Sequence, residues 1–238
     1  MDCVRGGLVV AMVAFHLCFD LVHIANIPLP WFSGALVAVW RDVVAWSFLA
    51  VAGAMCAVSR GNLARSMRYL AVALLVWAAT SLTDLTTPVS FGIVFCMGAC
   101  TLCEWLLERA GAAPRGPAAA AILFACFLLV RGVPQGVVGL PGLELTLPRA
   151  PYEAGWLAWL GFPGPGFASG DYYPLLPHLL VFLAGTALGR WFAERGWPEA
   201  VRERGCRPLE LVGRHALVVY VLHQPLIVAV LWLLGLVP

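Results

Sequence analysis

Three polar side chains interrupt the first apolar stretch of the sequence at a spacing that brings them together. His16, Asp20 and His23 follow an i, i+4, i+7 pattern, so in a helix all three lie on one stripe. A carboxylate one turn from an imidazole can hold its tautomer and stabilise the imidazolium ion. We therefore interpret His16 as a general base with Asp20 as its orienter, and His23 as a substrate-binding residue. The alternative is a hydrogen-bond network that only joins helices.

A second polar group lies inside the last apolar stretch, where His223 and Gln224 precede Pro225. His16 lies 11 residues after Arg5 and His223 lies 9 residues after Arg214, or roughly 16 and 14 Å at a rise of about 1.5 Å per residue. If both helices begin on the same side, the two histidines reach similar depths and can share one cavity. We expect His223 and Gln224 to bind substrate, with a kinked polar helix as the alternative.

These residues are notable because the chain around them is far too apolar for a soluble domain. It has 238 residues, of which 61% are hydrophobic and 12% charged, against about 45–50% apolar and about 25% charged in soluble domains. A charged residue at the centre of a membrane helix is costly and usually faces a protein interior or a water-filled cavity. The sequence thus predicts an all-α, polytopic integral membrane bundle forming a single domain over residues 1–238, with the lipid bilayer as its surroundings.

Apolar runs long enough to cross about 30 Å of hydrocarbon predict about seven transmembrane helices. Their expected ranges are 7–25, 43–59, 69–85, 89–107, 117–131, 174–192 and 215–236. The segment from about 132 to 173 is expected to be an extracytoplasmic loop, and that from about 193 to 212 a cytoplasmic interfacial segment. A cleaved signal peptide is the alternative for residues 1–25, but His16, Asp20 and His23 interrupt that stretch.

The distribution of basic residues predicts the orientation. All 15 basic residues are arginines, and with the N-terminus in the cytoplasm only Arg41, Arg131 and Arg149 fall outside. This strong bias agrees with the positive-inside rule and places the C-terminus outside the cytoplasm. Asp84 and Asp171 then lie near the outer face, and we expect Asp171 to bind substrate there.

Other chemistries find little support. Six of the eight cysteines lie in apolar segments, where a free, buried thiol is typical. Cys96, Cys100 and Cys103 share a helical face, but we find no histidine or carboxylate that completes a metal site on it. We expect no metal and no nucleic-acid partner, and the sequence lacks a clear internal repeat of the transporter kind.

Several segments together resemble a known family. They are the run from Arg5-Gly-Gly through Phe15-His16 to Asp20-Leu21, Phe48–Gly53, Phe91-Gly92-Ile93, Ser169-Gly-Asp171 with Tyr-Tyr-Pro174, Gly213-Arg214-His215, and Tyr220-Val-Leu-His223-Gln224-Pro225. In order and spacing they resemble bacterial members of the heparan-alpha-glucosaminide N-acetyltransferase catalytic-domain family, within the transmembrane acyltransferases.

The resemblance implies an acetyl-CoA-dependent enzyme of the bacterial cytoplasmic membrane that acylates an extracytoplasmic carbohydrate or glycolipid. His16 would then act as base or acyl carrier, and Arg5 and Arg214 would contact the CoA phosphates, which arginine matches in geometry. The acceptor, the choice between N- and O-acylation and the oligomeric state stay open. The alternative is a proton-coupled transporter or channel that uses His16, Asp20, His23 and His223 as its pathway.

Overall fold

The protein is largely helical, as seen in a computed structural model that describes residues 1–82, 87–202 and 205–236. In chain order the helices are α1 (Asp2–His23), α2 (Gly34–Cys56), α3 (Asn62–Ser81), α4 (Ile93–Arg109), α5 (Gly116–Val130), α6 (Ala150–Glu153), α7 (Leu175–Arg195), α8 (Glu199–Arg202), α9 (Arg207–Arg214) and α10 (Ala216–Leu233). Strands β1 (Val137–Leu140) and β2 (Leu143–Thr146) form one antiparallel pair. Asp84, expected near the outer face, lies outside the described residues.

Six segments among the described residues are long and apolar enough to cross a membrane. They are α1, α2, α3, α7, α10 and the stretch Gly116–Gln135, which contains α5. Helix α4 has 17 residues, or roughly 25 Å at about 1.5 Å per residue, so it is somewhat shorter than the hydrocarbon core. The chain is therefore a helical membrane protein, whereas a count of seven spans and the orientation of the termini stay predictions.

Three of the expected spans begin too late, and one of them is the first, because α1 begins at Asp2 rather than at residue 7. Helix α2 begins at Gly34 and α3 at Asn62, whereas the apolar runs suggested residues 43 and 69. The apolar window stopped at charged residues, but a helix continues through such residues when their side chains find partners. Arg41 pairs with Asp42 at 2.9 Å, and the Arg68 Nε atom donates to a backbone carbonyl one turn earlier.

The chain divides into two compact units. The terminal unit comprises Met1–Phe48 and Trp197–Pro238, and the central unit comprises Leu49–Gly196. Helix α2 contributes its residues up to Phe48 to the terminal unit and the rest to the central unit. Each unit therefore has its own packing.

In the terminal unit α1 packs along α9 and α10. A Cβ atom built on Gly6 would lie 1.9 Å from the Leu209 carbonyl oxygen, and one built on Gly213 would lie 1.9 Å from the Asp2 carbonyl oxygen. The backbones of α1 and α9 thus touch through two glycines. Further along α1, the Phe15 ring contacts those of Phe32 and Trp40 at 5.5 Å between centroids.

In the central unit α7 packs against α2, α4 and α5. A Cβ atom on Gly53 would lie 2.0 Å from the Phe182 carbonyl oxygen, and Cβ atoms on Gly185 and Gly189 would meet the backbones of Ala50 and Ala54. Small residues spaced four apart allow membrane helices to approach closely. Because these contacts are backbone to backbone, this helix pair has no room for a larger residue at any of the three glycines.

The expected loop, about residues 132–173, contains the two strands, so the all-α expectation is wrong in this segment. The strands are joined by Pro141 and Gly142, and Gly142 has a φ of +86°, a conformation that favours glycine. Later in the loop the Tyr172 hydroxyl donates to the Ala158 carbonyl at 2.7 Å. Burial raises the pKa of this hydroxyl, so it stays a donor.

Candidate active site

His16 and His223 face each other inside the terminal unit. His16 is on α1 and His223 on α10, and the centroids of their rings are 4.9 Å apart with planes inclined at 59°. His16 is half-buried, whereas His223 is buried with 8% of its surface exposed. The two helices thus bring together two imidazoles that are more than 200 residues apart in the sequence.

The tautomer of His223 follows from its hydrogen bond. Its Nδ1 atom lies 2.5 Å from the Tyr220 carbonyl oxygen, so Nδ1 carries the proton that this acceptor needs. Its Nε2 atom is buried and has no hydrogen-bond partner among the described residues. Pro225, two residues later, has no N–H and leaves a carbonyl of the preceding turn without its helical donor. A buried imidazole nitrogen with a free lone pair is therefore present beside His16.

Asp20 is fixed by the neighbour of His223. The Gln224 Nε2 atom donates to the Asp20 Oδ2 atom at 2.8 Å, and Asp20 is buried with 1% of its surface exposed. No hydrogen bond between Asp20 and His16 is found in the described part of the chain. Although the two lie one turn apart on α1, the carboxylate reaches across to α10, so any effect of Asp20 on His16 is indirect in this geometry.

Arg5 and Arg214 meet at one carboxylate. The Asp2 Oδ1 atom pairs with Arg5, and the Asp2 Oδ2 atom accepts from the Arg214 Nε atom at 3.4 Å. The close α1–α9 contact at Gly6 places the two guanidinium groups near each other. The Arg5 Nε atom is buried and has no hydrogen-bond partner among the described residues, so this pair keeps a free donor for an anion.

The other two expected site residues lie elsewhere. His23 is exposed, and its ring contacts that of Phe19 at 4.3 Å rather than the histidine pair. Asp171 belongs to the central unit, where its Oδ2 atom accepts from the Ile93 N–H at 2.9 Å. A carboxylate that accepts the first amide of a helix stabilises its N-terminus, so Asp171 has a structural task at the start of α4.

The central unit contains a buried ion pair, Glu104 with Arg190, that was not predicted from the sequence. Glu104 is fully buried and accepts from Arg190 at 2.6 Å and from Asn62 at 3.2 Å, and Arg190 also pairs with Glu108 at 3.2 Å. Glu104 lies four residues after Cys100, on the helical face of the three cysteines, where we expected no carboxylate. An acidic residue inside an apolar run was the signal. Within the described residues there is no group of three or more potential metal ligands.

The terminal unit therefore contains the imidazole pair of His16 and His223 and, beside it, the hydrogen bond between Asp20 and Gln224. A second group in the same unit is the arginine pair, Arg5 near the start of α1 and Arg214 at the end of α9. An imidazole with a free lone pair can take a proton from an attacking group or attack a carbonyl itself. Arginine guanidinium groups suit phosphate.

The family comparison is in accord with this chemistry. A family model described as heparan-alpha-glucosaminide N-acetyltransferase, catalytic, matches residues 1–225. The chain belongs to this family. No curated protein and no solved structure matches it. The heparan-alpha-glucosaminide N-acetyltransferase family is one of membrane acetyltransferases that generally use acetyl-CoA as donor, and the match spans α1 and α10 as far as Pro225. It does not favour a transporter.

Proposed function

We propose that the protein transfers an acetyl group from cytosolic acetyl-CoA to an amine or hydroxyl of an extracytoplasmic carbohydrate or envelope glycan. The observation that carries this proposal is the contact between His16 and His223 inside a chain of an acetyltransferase family. In this reading the protein resides in a bacterial cytoplasmic membrane with its N-terminus in the cytoplasm, so the donor and the acceptor reach the site from opposite sides.

His16 is the proposed reactive residue because its ring is half-buried, and hence accessible, beside the buried His223 ring. In direct transfer, His16 takes the proton of the acceptor N–H or O–H while that nitrogen or oxygen attacks the thioester carbonyl. The new C–N or C–O bond forms, the C–S bond breaks, and the CoA thiolate leaves with the electron pair and regains a proton from the imidazolium ion.

In the two-step alternative His16 carries the acyl group. An imidazole nitrogen of His16 attacks the thioester carbonyl and the C–S bond breaks, with its electron pair leaving on the CoA thiolate. The thiolate takes the proton of the other ring nitrogen, which gives a neutral acyl-histidine and the CoA thiol. The acceptor then attacks this acyl group, and the acyl–imidazole bond breaks with its electron pair on the His16 nitrogen, which regains the acceptor proton by way of His223. The His223 Nε2 atom, which has a free lone pair, takes the acceptor proton in this second step.

Asp20 and Gln224 are proposed as positioning residues. Their hydrogen bond joins α1 to α10 one turn from His16 and beside His223, so it fixes how the two rings face each other. Without it the Asp20 carboxylate, which is buried, would lack this partner, which costs about 1–3 kcal/mol or more for a charged group. The bond therefore holds the reacting geometry before substrate arrives.

Arg5 and Arg214 are proposed to contact phosphate oxygens of the donor. Both already bind a carboxylate, Asp2, and a phosphate offers the same type of acceptor with more charge. The buried free Nε atom of Arg5 adds a donor that Asp2 does not use. In this reading Arg214→Ala weakens acetyl-CoA binding, whereas His16→Ala leaves it intact.

The experiment compares His16→Ala with His215→Ala. His215 is an exposed histidine at the start of α10 whose ring bonds a backbone carbonyl and no other described residue, so it controls for loss of an imidazole. Purified full-length protein in nanodiscs is given radiolabelled acetyl-CoA with glucosamine and with a bacterial envelope glycan fraction. We expect His16→Ala to lower labelled product by at least about 100-fold, the usual effect of losing a general base, and His215→Ala to change it less than twofold.

Calorimetry with acetyl-CoA separates binding from chemistry. Wild type and His16→Ala should bind alike, and Arg214→Ala should bind more weakly. Acid-quenched wild-type protein that carries base-labile label supports the acyl-histidine path, and unlabelled protein supports direct transfer. A His16→Ala protein that retains wild-type turnover would refute the role of His16, and a folded wild type that binds no acetyl-CoA would refute the proposed function.

A further inference from the structure

The central unit contains an open cleft that the proposed site does not use. Its volume is about 470 Å³, within the roughly 300–1,000 Å³ typical of small-molecule sites. It lies where the turn between α2 and α3 meets the last turns of α4. One side is formed by Ser59, Arg60 and Asn62, and the other by Trp105, Glu108 and Arg109. We name it the Trp105 cleft.

The Trp105 cleft attracts anions. Arg60 and Arg109 are exposed, and neither forms an ion pair with any residue that the structure describes. The only carboxylate in the lining, Glu108, is paired with Arg190 at 3.2 Å. Two guanidinium groups therefore remain available for an anionic ligand, and guanidinium is the side-chain group that best matches phosphate.

The start of α3 adds to this potential. The helix begins at Asn62 after Gly61, has no side-chain cap and carries no acidic residue in its first turn. No side chain caps its first amides, although the Glu104 carboxylate accepts from the Asn62 side chain at 3.2 Å and offsets part of the helix dipole. A phosphate is the common ligand of such a helix end.

The opposite wall offers a flat aromatic surface. Trp105 is half-buried, and the Arg109 guanidinium lies 4.8 Å from the centroid of its ring. Tryptophan rings and arginine planes stack on nucleobases, with about 1–3 kcal/mol per stacked base. This wall thus fits a planar heterocycle, which a simple phosphate or a lipid headgroup does not have.

Asn62 supplies an acceptor without a partner. Its Nδ2 atom donates to the Cys56 carbonyl at 3.0 Å and to Glu104 at 3.2 Å. Its Oδ1 atom is buried and accepts no hydrogen bond from any described residue, and only 3% of the residue surface is exposed. A buried polar atom without a partner is uncommon, and a ligand N–H or O–H at this wall would satisfy it.

We propose that the Trp105 cleft binds the adenosine phosphate end of a nucleotide ligand. Arg60, Arg109 and the start of α3 bind phosphate, Trp105 stacks on the base, and Asn62 accepts from a base or ribose donor. The assignment does not depend on the proposed function, because all the lining residues of the cleft belong to the central unit and the histidine pair belongs to the terminal unit. The ligand class follows from the combination of free guanidinium groups, a flat ring and a free acceptor in one cleft.

The test uses adenosine 3′,5′-bisphosphate, which carries a base, a ribose and two phosphates but no acyl chain. Calorimetry is performed on the full-length protein in phosphatidylcholine nanodiscs. We expect Arg60→Ala combined with Arg109→Ala to raise the Kd by more than tenfold, and Trp105→Leu to raise it about tenfold. Arg68→Ala removes an exposed arginine of α3 outside the cleft and should change the Kd less than twofold. An unchanged Kd in the double variant overturns the proposal.

A second arm distinguishes a nucleotide from an anionic lipid. Native mass spectrometry after transfer to nanodiscs containing phosphatidylglycerol counts retained lipids in the wild type and in the double variant. Equal lipid retention with weaker bisphosphate binding supports the proposal. Loss of retained phosphatidylglycerol together with unchanged bisphosphate binding assigns the arginines to lipid and overturns it.

The outcome is separable from that of the proposed function. If the double variant loses bisphosphate binding while the wild type transfers no acetyl group, the cleft is a nucleotide site and the acetyltransferase proposal fails. If His16→Ala abolishes acetyl transfer while the double variant binds bisphosphate normally, the acetyltransferase proposal stands and the cleft assignment fails.

Discussion

Replacing Gly6 with alanine tests whether α1 and α9 touch through their backbones. The added Cβ atom would lie 1.9 Å from the Leu209 carbonyl oxygen, where ordinary contacts begin at 3.4 Å. The obstacle is backbone, so no side-chain rotation relieves it and α9 must move away from α1. Overpacking of this kind typically costs about 1–3 kcal/mol.

Gly7 provides a matched control in the next position of the same helix. A Cβ atom there meets nothing within 4 Å. Both substitutions gain the same helix propensity, up to about 1 kcal/mol, so the difference between the two variants isolates the steric cost. We expect Gly7→Ala to be at least as stable as the wild type and Gly6→Ala to be less stable than Gly7→Ala by about 1–3 kcal/mol.

The assay is thermal unfolding of each full-length protein in one detergent, followed by helical circular dichroism. For a chain of this size each kcal/mol corresponds to about 2–4 °C in Tm, so the two variants should differ by several degrees. Equal Tm values for Gly6→Ala and Gly7→Ala would refute the close contact of α1 with α9, and with it the reason why Arg5 and Arg214 lie near each other.

Three further predictions concern polar contacts. Arg190→Met removes the ion-pair partner of the fully buried Glu104 carboxylate and should lower the free energy of unfolding by about 3–5 kcal/mol in denaturant titration. Arg115→Met, whose ion pair is exposed, should change it by less than about 1 kcal/mol. Similar losses in the two variants would contradict the burial of the Glu104 ion pair. Asp171→Ala should cost about 1 kcal/mol and speed hydrogen exchange in the first turn of α4, with Asp171→Asn restoring protection; protection that survives in the alanine variant would show that another group caps α4. Gln224→Leu should lower kcat for acetyl transfer more than tenfold while KM for acetyl-CoA stays within twofold, because it removes the donor to Asp20; an unchanged kcat would remove the positioning role.

The sequence predicted well those features that depend on helical periodicity and membrane depth. Counting residues from Arg5 and Arg214 placed His16 and His223 at one level, and their rings are in contact. The family was also accessible, because its motifs are spread over the chain and the family model matches residues 1–225.

The partners of individual side chains were not predictable in this way. The i, i+4 spacing allows Asp20 to reach His16 but does not require it, and the amide of Gln224 on another helix offers a better donor. Which helices pack together decides such a choice, and periodicity along one helix does not contain that information. The same holds for Glu104, whose partner Arg190 lies 86 residues later.

The hairpin was missed for a different reason. Pro141 and Gly142 form a recognisable turn signal, and they lie between Val137–Leu140 and Leu143–Thr146, of which only the second alternates apolar and polar residues. No turn was predicted there because the surrounding loop was interpreted only from its length and its position between apolar spans. Strands of four residues give too short a pattern to compete with that interpretation.

The division of the chain also sets the order in which the site can form during synthesis. Because the terminal unit is made of the two ends of the chain, α1 enters the membrane long before α10 exists. At about 5–20 residues per second, the 204 residues between Asp20 and Gln224 take roughly 10 to 40 seconds to translate. Throughout this interval the nascent chain contains the Asp20 carboxylate, which is buried in the folded protein, and the His16 imidazole, and both lack their partners on α10. Until α10 is made, that stripe of α1 therefore lacks the groups that cover it in the folded protein, and a chain that stops before α10 keeps this carboxylate unpartnered.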